Sequence, residues 1–536
     1  MAGSERAWLG TVPAMRYERH YSDRVVRCFV ERPHNAYDLL REAAARNGEG
    51  DAIICGSEHL TYRQFDAAVA QCAAGLQASG IAKGDRVAML LGNGIPFPIV
   101  MFAALRLGAI AVPISVREQT QGLAYMLAHS GAKLLVYDAD LAERLPVKTE
   151  TPALVHRIAV EPGTPYLAMR LLAPATGAAP TAVEEEDTAI ILYTSGTTGR
   201  PKGAMLAHLG ICHSAIHFEC CMALTSSDRA VVAVPMSHVT GVIALIATMV
   251  RATAALIIMP AFKAGEFLEL AAAERMTHSL MVPAMYNLCL LDAGFDERRL
   301  SAWRVGGYGG APMAPSTIAR FAEKLPGLNL MNAYGSTETT SPVTMMPPSE
   351  TAALSDSVGC ALPCADILVM DDDGREVGTG QEGELWLGGP MVVKGYWDNP
   401  AATAESFVAG YWRSGDIGSQ DAEGFVRVFD RKKDMINRGG YKIYSVEVEN
   451  ALMSFAGVVE VAVVARPCPV LGERVHAFVV ATSADVRAAD LKQHCSRLLA
   501  DYKVPETFTL SNQPLPRNAN GKLLKRNLRT DQTTTP

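Results

Sequence analysis

Tyr193-Thr-Ser-Gly-Thr-Thr-Gly-Arg-Pro-Lys-Gly203 is the stretch on which the fold assignment turns. It follows the apolar run Ala189 to Leu192, which reads as a buried strand, so a loop of small and hydroxyl residues leaves the end of a sheet. In open α/β folds ligands bind at that point. Gly196 and Gly199 let backbone N–H groups turn toward an anion, and Thr194, Ser195, Thr197 and Thr198 add hydroxyl donors that core packing does not require. The chemistry is that of a phosphate cradle. It departs from the Walker A loop, which needs Gly-Lys-Ser/Thr, because Lys202 is preceded by Pro201 and followed by Gly203. The competing reading is a flexible Ser/Gly/Thr linker.

Outward from this loop, the spacing alternates between strand and helix. Ala36 to Arg46 has helical periodicity and Ala52 to Cys55 reads as a short strand. Leu60 to Phe65 opens a helix running to about Ser79, with Thr61 as its N-cap, and Gly84-Asp85 turns the chain into a strand from Arg86 to Leu91. Ile95 to Leu107 is helical, with Pro96 and Pro98 confined to the first turn, and a strand follows from Gly108 to Pro113. This half predicts a parallel sheet wrapped by helices. Residues 160 to 187 read as a solvated connection rich in Ala, Pro and Glu.

A chain of 536 residues exceeds one ordinary core, so at least two domains are expected. A net charge of −7 supplies no global attraction to nucleic acid or to an anionic membrane. Polar and charged residues such as Asn93, Arg106, His238 and Arg251 interrupt the longest apolar regions, which read as buried elements and not as transmembrane segments. The eleven cysteines form neither paired CxxC spacing nor a disulfide framework. Met1 to Asn35 has six Arg but no apolar h-region, so a cytoplasmic protein, monomer or homodimer, is expected. His208, His213 and His217 have a spacing that puts the last two on one helical face, but no acidic or cysteine pattern completes a metal site, which favours helix packing.

Further segments carry chemistry. Pro235 to Gly241 holds His238 between apolar runs and contains no acidic residue. Gly306-Gly-Tyr-Gly-Gly-Ala-Pro312 follows the strand-like Trp303 to Val305, and glycines this dense, with Gly309, Gly310 and Ala311, permit close backbone approach to a flat ligand. Asn332-Ala-Tyr-Gly-Ser-Thr-Glu338 combines a ring for stacking, a glycine leaving room for phosphate, a hydroxyl donor and a hard oxygen ligand for Mg²⁺. Asp416 lies in Tyr411-Trp-Arg-Ser-Gly-Asp416, where a carboxylate accepts from two ribose hydroxyls or serves as an ordinary turn residue. Asp430-Arg-Lys-Lys-Asp434, Gly439-Gly440 and Pro516 to Lys522 read on their own as a solvated linker and exposed turns.

Taken in order from Leu60 to Arg526, these segments resemble those of the adenylate-forming enzymes: acyl-CoA synthetases, aryl-CoA ligases, amino-acid adenylation domains and luciferases. The resemblance implies an α/β fold: a large amino-terminal domain of αβ-sandwich subdomains plus a β subdomain over 1–430, a hinge at 431–434, and a small mobile α+β domain over 435–536. It assigns the β and γ phosphates of ATP to Thr194 through Gly199 and Lys202, adenine to Gly309, Gly310, Ala311 and Tyr334, and further nucleotide contacts to Asn332, Ala333 and Gly335. Thr337 takes the α-phosphate, Glu338 the Mg²⁺, and Asp416 with Arg431 the ribose. Lys433 becomes the pivot, Gly439 and Gly440 the passage for coenzyme A, and Lys522 the catalytic lysine. His238, Tyr308, Ser336 and Pro342 line the acid pocket, with Tyr308 replacing a smaller residue.

The expectation is therefore an ATP-dependent acid–thiol ligase that forms an acyl-adenylate and transfers the acyl group to CoA. Its partners are a small carboxylic acid, ATP and CoA. A medium- or long-chain fatty acid ranks ahead of a benzoate- or hydroxycinnamate-type aryl acid. An acyl-AMP ligase loading a carrier protein shares every ATP residue, and a luciferase-like oxygenase or a non-catalytic nucleotide-binding module shares the fold.

Overall fold

The computed structural model describes residues 8–161, 177–194, 200–481, 486–517 and 523–530. The chain divides into two compact units, one of 1–367, 386–413 and 423–426, the other of 368–385, 414–422 and 427–536. The fold is α/β, with mixed sheets and helices in the first unit and a smaller α+β body in the second.

Local signals position the first elements of the larger unit. The helix Ala36–Arg46 starts where the Asn35 side chain accepts from the Asp38 amide. Thr61 caps the helix Tyr62–Ala78 in a capping box with Gln64, so Leu60 belongs to the preceding strand Glu58–Thr61. The helix Pro96–Arg106 carries Pro96 and Pro98 in its first turn.

One sheet of this unit runs, in spatial order, Lys202–Ala207, Thr188–Thr194, Ile110–Pro113, Arg86–Leu90, Leu134–Asp138 and His156–Val160. Its strands are parallel except for Lys202–Ala207, which folds back antiparallel on Thr188–Thr194. Apolar residues from neighbouring strands, Leu90, Val112, Leu135 and Ile191 among them, fill its core.

The second sheet has a parallel run of Asp51–Cys55, Ala255–Ile258, Arg229–Val232, His278–Met281, Val305–Tyr308 and Asn329–Tyr334. Trp303, Tyr286, Phe267 and Phe321 pack against it, with Tyr286 and Trp303 stacked at 5.7 Å. The strand at Val305 extends further than the sequence spacing suggests and takes in Gly306 and Gly307. A Cβ on Gly306 would meet Leu330 Cδ2 at 3.0 Å, and one on Gly307 would meet Leu280 Cγ at 3.0 Å. Both glycines leave room for the leucine side chains packed against the strand.

The three histidines lie on the helix His208–Cys221 and are all buried. His208 accepts from the Ala36 amide at 3.1 Å and His213 from the Phe29 amide at 3.1 Å, while His213 Nδ1 donates to Leu209 O at 2.9 Å. His217 Nε2 accepts from the Cys364 amide. Each of the three rings receives a backbone amide from a different segment, and both nitrogens of His213 are engaged, which accounts for these residues by helix packing. All eleven cysteines are free thiols. Among the described residues, no helix is long and apolar enough to cross a membrane.

In the smaller unit, the sheet order is Tyr441–Ile443, Ile436–Arg438, Gly472–Ala481, Val458–Cys468, with Thr507–Ser511 parallel to Gly472–Ala481. Ile436, Val448, Val463, Val475 and Leu491 form its core beneath the helices Ser445–Met453 and Ala488–Leu498.

Candidate active site

Thr194 and Lys202 face each other across the antiparallel pair Thr188–Thr194 and Lys202–Ala207. The loop quoted at the outset is thus the connection of a strand hairpin, with a donor at each base. Ser195, Gly196, Thr197, Thr198 and Gly199 lie outside the described residues. Behind the hairpin, Tyr193 Oη contacts His129 Nδ1 at 2.9 Å and Tyr125 donates to Pro201 O at 3.1 Å. These bonds fix the flanks of the loop to the helix Thr120–Ser130.

Glu338 is the point at which separate parts of the larger unit converge. Its carboxylate is buried and accepts from Tyr396 Oη on Oε1 at 2.9 Å, from Ser336 Oγ on Oε2 at 2.6 Å, and from Thr194 Oγ1 on Oε1 at 3.4 Å. The Lys202 ammonium sits 4.8 Å from the centroid of the Tyr396 ring. Burial, reinforced by the Glu338 carboxylate, raises Tyr396 well above the ordinary phenol range, so its hydroxyl remains a donor. The Ser336 hydroxyl, at a position the resemblance gives to the acid pocket, is engaged by this carboxylate. A carboxylate ringed by hydroxyl oxygens matches the hard-oxygen chemistry that Mg²⁺ requires, so Glu338 fits the assignment.

The backbone around Glu338 is tightly specified. Thr337–Thr339 forms a single 3₁₀ turn after the strand Asn329–Tyr334, and Thr340 and Ser341 follow with φ of 51° and 59°. Such left-handed backbone is unfavourable for residues with a Cβ and is held here by bonds from Thr340 Oγ1 to Met391 O and from the Ser341 amide to Ser336 O. A Cβ on Gly335 would stand 2.9 Å from Pro342 Cα, which explains the glycine. Pro342 is buried at this turn, and Thr337 is half-buried beside Glu338.

Parallel strands deliver the remaining expected residues to one edge of the sheet. Tyr308 ends its strand in register with Asn332, so Gly309, Gly310 and Ala311 leave beside Ala333 and Tyr334. A Cβ on Gly309 would come 2.4 Å from Ala333 O, and Gly310 has φ of 79°. His238 is half-buried after the strand Arg229–Val232, which His278–Met281 separates from Val305–Tyr308. The segment bearing it runs into the apolar π-helix Thr240–Ala247, whose wide turn is capped by Thr248 Oγ1 on Ile243 O at 2.9 Å. Tyr308 is buried within the aromatic core, and that burial pushes its hydroxyl up to about 12.

In the smaller unit, Arg431 Nε pairs with the buried Asp416 at 2.7 Å. The Asp416 amide donates to Ser414 Oγ at 3.0 Å. Lys433 lies in the turn between the strands Phe425–Arg431 and Ile436–Arg438. Gly439 and Gly440, with φ of 61° and 92°, form the two-residue hairpin between Ile436–Arg438 and Tyr441–Ile443. Positive φ at both positions is what a type I′ turn demands, so their local conformation alone accounts for two glycines. Lys522 lies outside the described residues; its neighbours Arg517 and Leu523 pair in an isolated β-bridge.

Sequence reading missed Tyr396. Its segment, Gly395-Tyr-Trp-Asp-Asn-Pro400, reads as the end of a strand and a turn, and nothing local signals a contact with Glu338. Elsewhere, Glu18, His20 and Cys28 bring three potential metal donors within 4.8 Å. Arg32 already pairs with Glu18 at 2.6 Å and Glu185 at 2.7 Å, and holds Glu18 down to about 2. That cluster is a charge-balanced ion-pair network.

Comparison with known proteins gives this geometry a context. Residues 40–397 match the model of the AMP-binding enzyme family, and 447–522 match the AMP-binding enzyme C-terminal domain. The chain is 34% identical over 504 residues to a long-chain-fatty-acid–CoA ligase of Mycobacterium tuberculosis, covering 93% of this chain and 98% of that protein. It is also 34% identical over 489 residues to a feruloyl-CoA synthase of Amycolatopsis, covering 89% and 95%. Among solved structures, the o-succinylbenzoate CoA synthetase of Bacillus subtilis in complex with ATP and magnesium ion superposes with a TM-score of 0.82 at 29% identity, covering 92% of this chain and 99% of that one. The chain belongs to the AMP-binding enzyme family and is an AMP-forming acid–thiol ligase.

Proposed function

We propose that this ligase is an acyl-CoA synthetase acting on medium- or long-chain fatty acids. The observation that carries the choice of acid is the absence of Lys and Arg from segments 235–241, 308–312 and 334–343, the first of which leads into the apolar helix Thr240–Ala247. A second carboxylate, as in malonate, would be buried there without a cationic partner, at a cost of several kcal/mol. An alkyl tail gains about 0.8 kcal/mol per buried CH₂.

A carboxylate is a poor acyl donor because its leaving group would be oxide. In the first step its oxygen attacks the α-phosphorus of ATP, pyrophosphate leaves, and an acyl-adenylate forms. Charge grows on the α-phosphate, where Thr337 donates a hydrogen bond and Lys522 supplies a cation, while the Thr194 to Lys202 loop holds the β and γ phosphates. Mg²⁺ on Glu338, when bound, neutralises phosphate charge. In the second step the CoA sulfur attacks the acyl carbon, loses its proton, and AMP leaves. Movement at Lys433 would exchange Lys522 for the Gly439-Gly440 turn beside the adenylate.

An aryl acid is the second reading, favoured by the equal identity of the feruloyl-CoA synthase relative. The acceptor is tested by AMP release from enzyme, ATP and octanoate with and without CoA. Release that requires CoA supports the proposal. Pyrophosphate release with no response to CoA would replace it with a carrier-protein ligase.

A further inference from the structure

Lys433 lies between two segments that are each tied down by side chains. On its amino side, Arg431 is paired with Asp416 at 2.7 Å. The Lys432 amide donates to Gly415 O at 2.8 Å, and Lys432 Nζ contacts Asp372 Oδ1 at 2.7 Å. These partners belong to the strand residues 414–420 and the turn after Met370. On its carboxyl side, Arg529 Nη2 donates to the carbonyl oxygen of Lys433 at 2.9 Å and to Asp434 Oδ1 at 2.8 Å. Arg529 belongs to the helix Lys525–Thr530, and its own carbonyl accepts from Arg466 Nη1 at 3.1 Å, which ties that helix to the strand Val458–Cys468.

The covalent geometry gives these ties a meaning. Rotation about ψ of Lys433 carries its carbonyl together with Asp434, because the intervening peptide is planar. The Arg529 bonds therefore stay intact while everything beyond Lys433 Cα turns. Other bonds do cross that residue: the amides of Asp434 and Met435 donate to Arg431 O at 2.8 and 3.0 Å, and the Ser445 amide donates to the Asp430 carboxylate. A turn at Lys433 has to release those.

We propose that Arg529 is a positioning residue for thioester formation: by fastening the Lys433–Asp434 peptide to the carboxy-terminal core, it confines rotation to φ and ψ of Lys433. This deepens the reading of a two-step acyl-CoA synthetase and rests on it. Without Arg529 the torsions of Asp434 become free as well, so the turn ends in a spread of orientations and not in one.

The test has two arms on the full-length protein. Hydrogen exchange is read on the peptide covering 430–436 in wild type, Arg529→Lys and Arg529→Ala. Loss of the clamp in Arg529→Ala speeds exchange there by about tenfold or more, with Arg529→Lys between, while the strand Gly472–Ala481 keeps its protection. Unchanged exchange at 430–436, or a loss of protection through the whole carboxy-terminal core, overturns the clamp. In the second arm, adenylation and CoA transfer are timed separately in Lys433→Pro, Arg529→Ala and the double variant. Proline fixes φ at the pivot and slows CoA transfer more than adenylation. Arg529→Ala, by freeing Asp434, restores CoA transfer in the double variant by about fivefold over Lys433→Pro alone. A double variant no faster than Lys433→Pro contradicts the proposal. Wild-type enzyme that releases no AMP in response to CoA would remove the functional reading, and the exchange arm would still decide the clamp.

Discussion

The hydroxyl of Tyr396 donates to Oε1 of Glu338 over 2.9 Å, and the face of the same ring lies 4.8 Å from the Lys202 ammonium. One aromatic side chain thereby sets the spacing between the carboxylate assigned to the metal and the lysine assigned to the phosphates.

Tyr396→Phe keeps the ring and removes the donor. Leaving a buried carboxylate short of one hydrogen bond costs about 1–3 kcal/mol, so adenylation should slow by about tenfold with the fold intact. The check is pyrophosphate release as a function of Mg²⁺. A variant indistinguishable from wild type at every Mg²⁺ concentration would mean that Tyr396 does not position Glu338.

Glu338→Gln preserves shape and removes charge. Adenylation at low Mg²⁺ should fall by about a hundredfold and recover in part as Mg²⁺ is raised. If a folded variant shows a defect that Mg²⁺ cannot alter, the metal belongs elsewhere.

Lys522→Ala should abolish adenylation while a supplied acyl-adenylate is still converted to thioester, because the lysine acts while charge sits on the α-phosphate. Rapid-quench timing of the two half-reactions separates these effects. Equal losses in both would remove the division of labour between Lys522 and the Gly439-Gly440 turn.

Much of the framework was legible in local pattern. Thr61 announces its helix because a cap is decided within four residues, and the strand before the phosphate loop is a bounded apolar run. Contacts distant in sequence were not legible. Tyr396 reaches Glu338 only because the chain bridges Ala204 to Tyr396 and donates from the Trp397 amide to Gly203 O, bonds that no periodicity encodes. Gly306 and Gly307 look like a ligand loop in sequence, since a glycine required by a neighbouring Leu side chain and one required by a base are the same letter. The π-helix at Thr240–Ala247 is hidden in a uniformly apolar stretch that fits several helical periods equally well.

Stability should fall in acid through the buried histidines. Burial lowers His208 and His213 from 6.5 to about 4, and both accept backbone amides as neutral rings. The folded state thus binds fewer protons than the unfolded state, so their contribution is complete above pH 6.5 and is lost as pH falls through about 4. Tm measured by calorimetry between pH 7 and 4 should drop, and His213→Gln, which retains an acceptor for the Phe29 amide without a titrating ring, should flatten that drop. An identical slope in the variant would assign the acid sensitivity to other groups.

The most direct measurement is kcat/KM for acyl-CoA formation, read by product mass, across acetate, octanoate, palmitate, benzoate, a hydroxycinnamate and malonate. Octanoate or palmitate should lead, with malonate lowest, since the acid-side segments offer apolar surface and no Lys or Arg for a second carboxylate. A lead for benzoate or the hydroxycinnamate would make this an aryl-acid ligase, and a clear preference for malonate or acetate would contradict the pocket assignment outright.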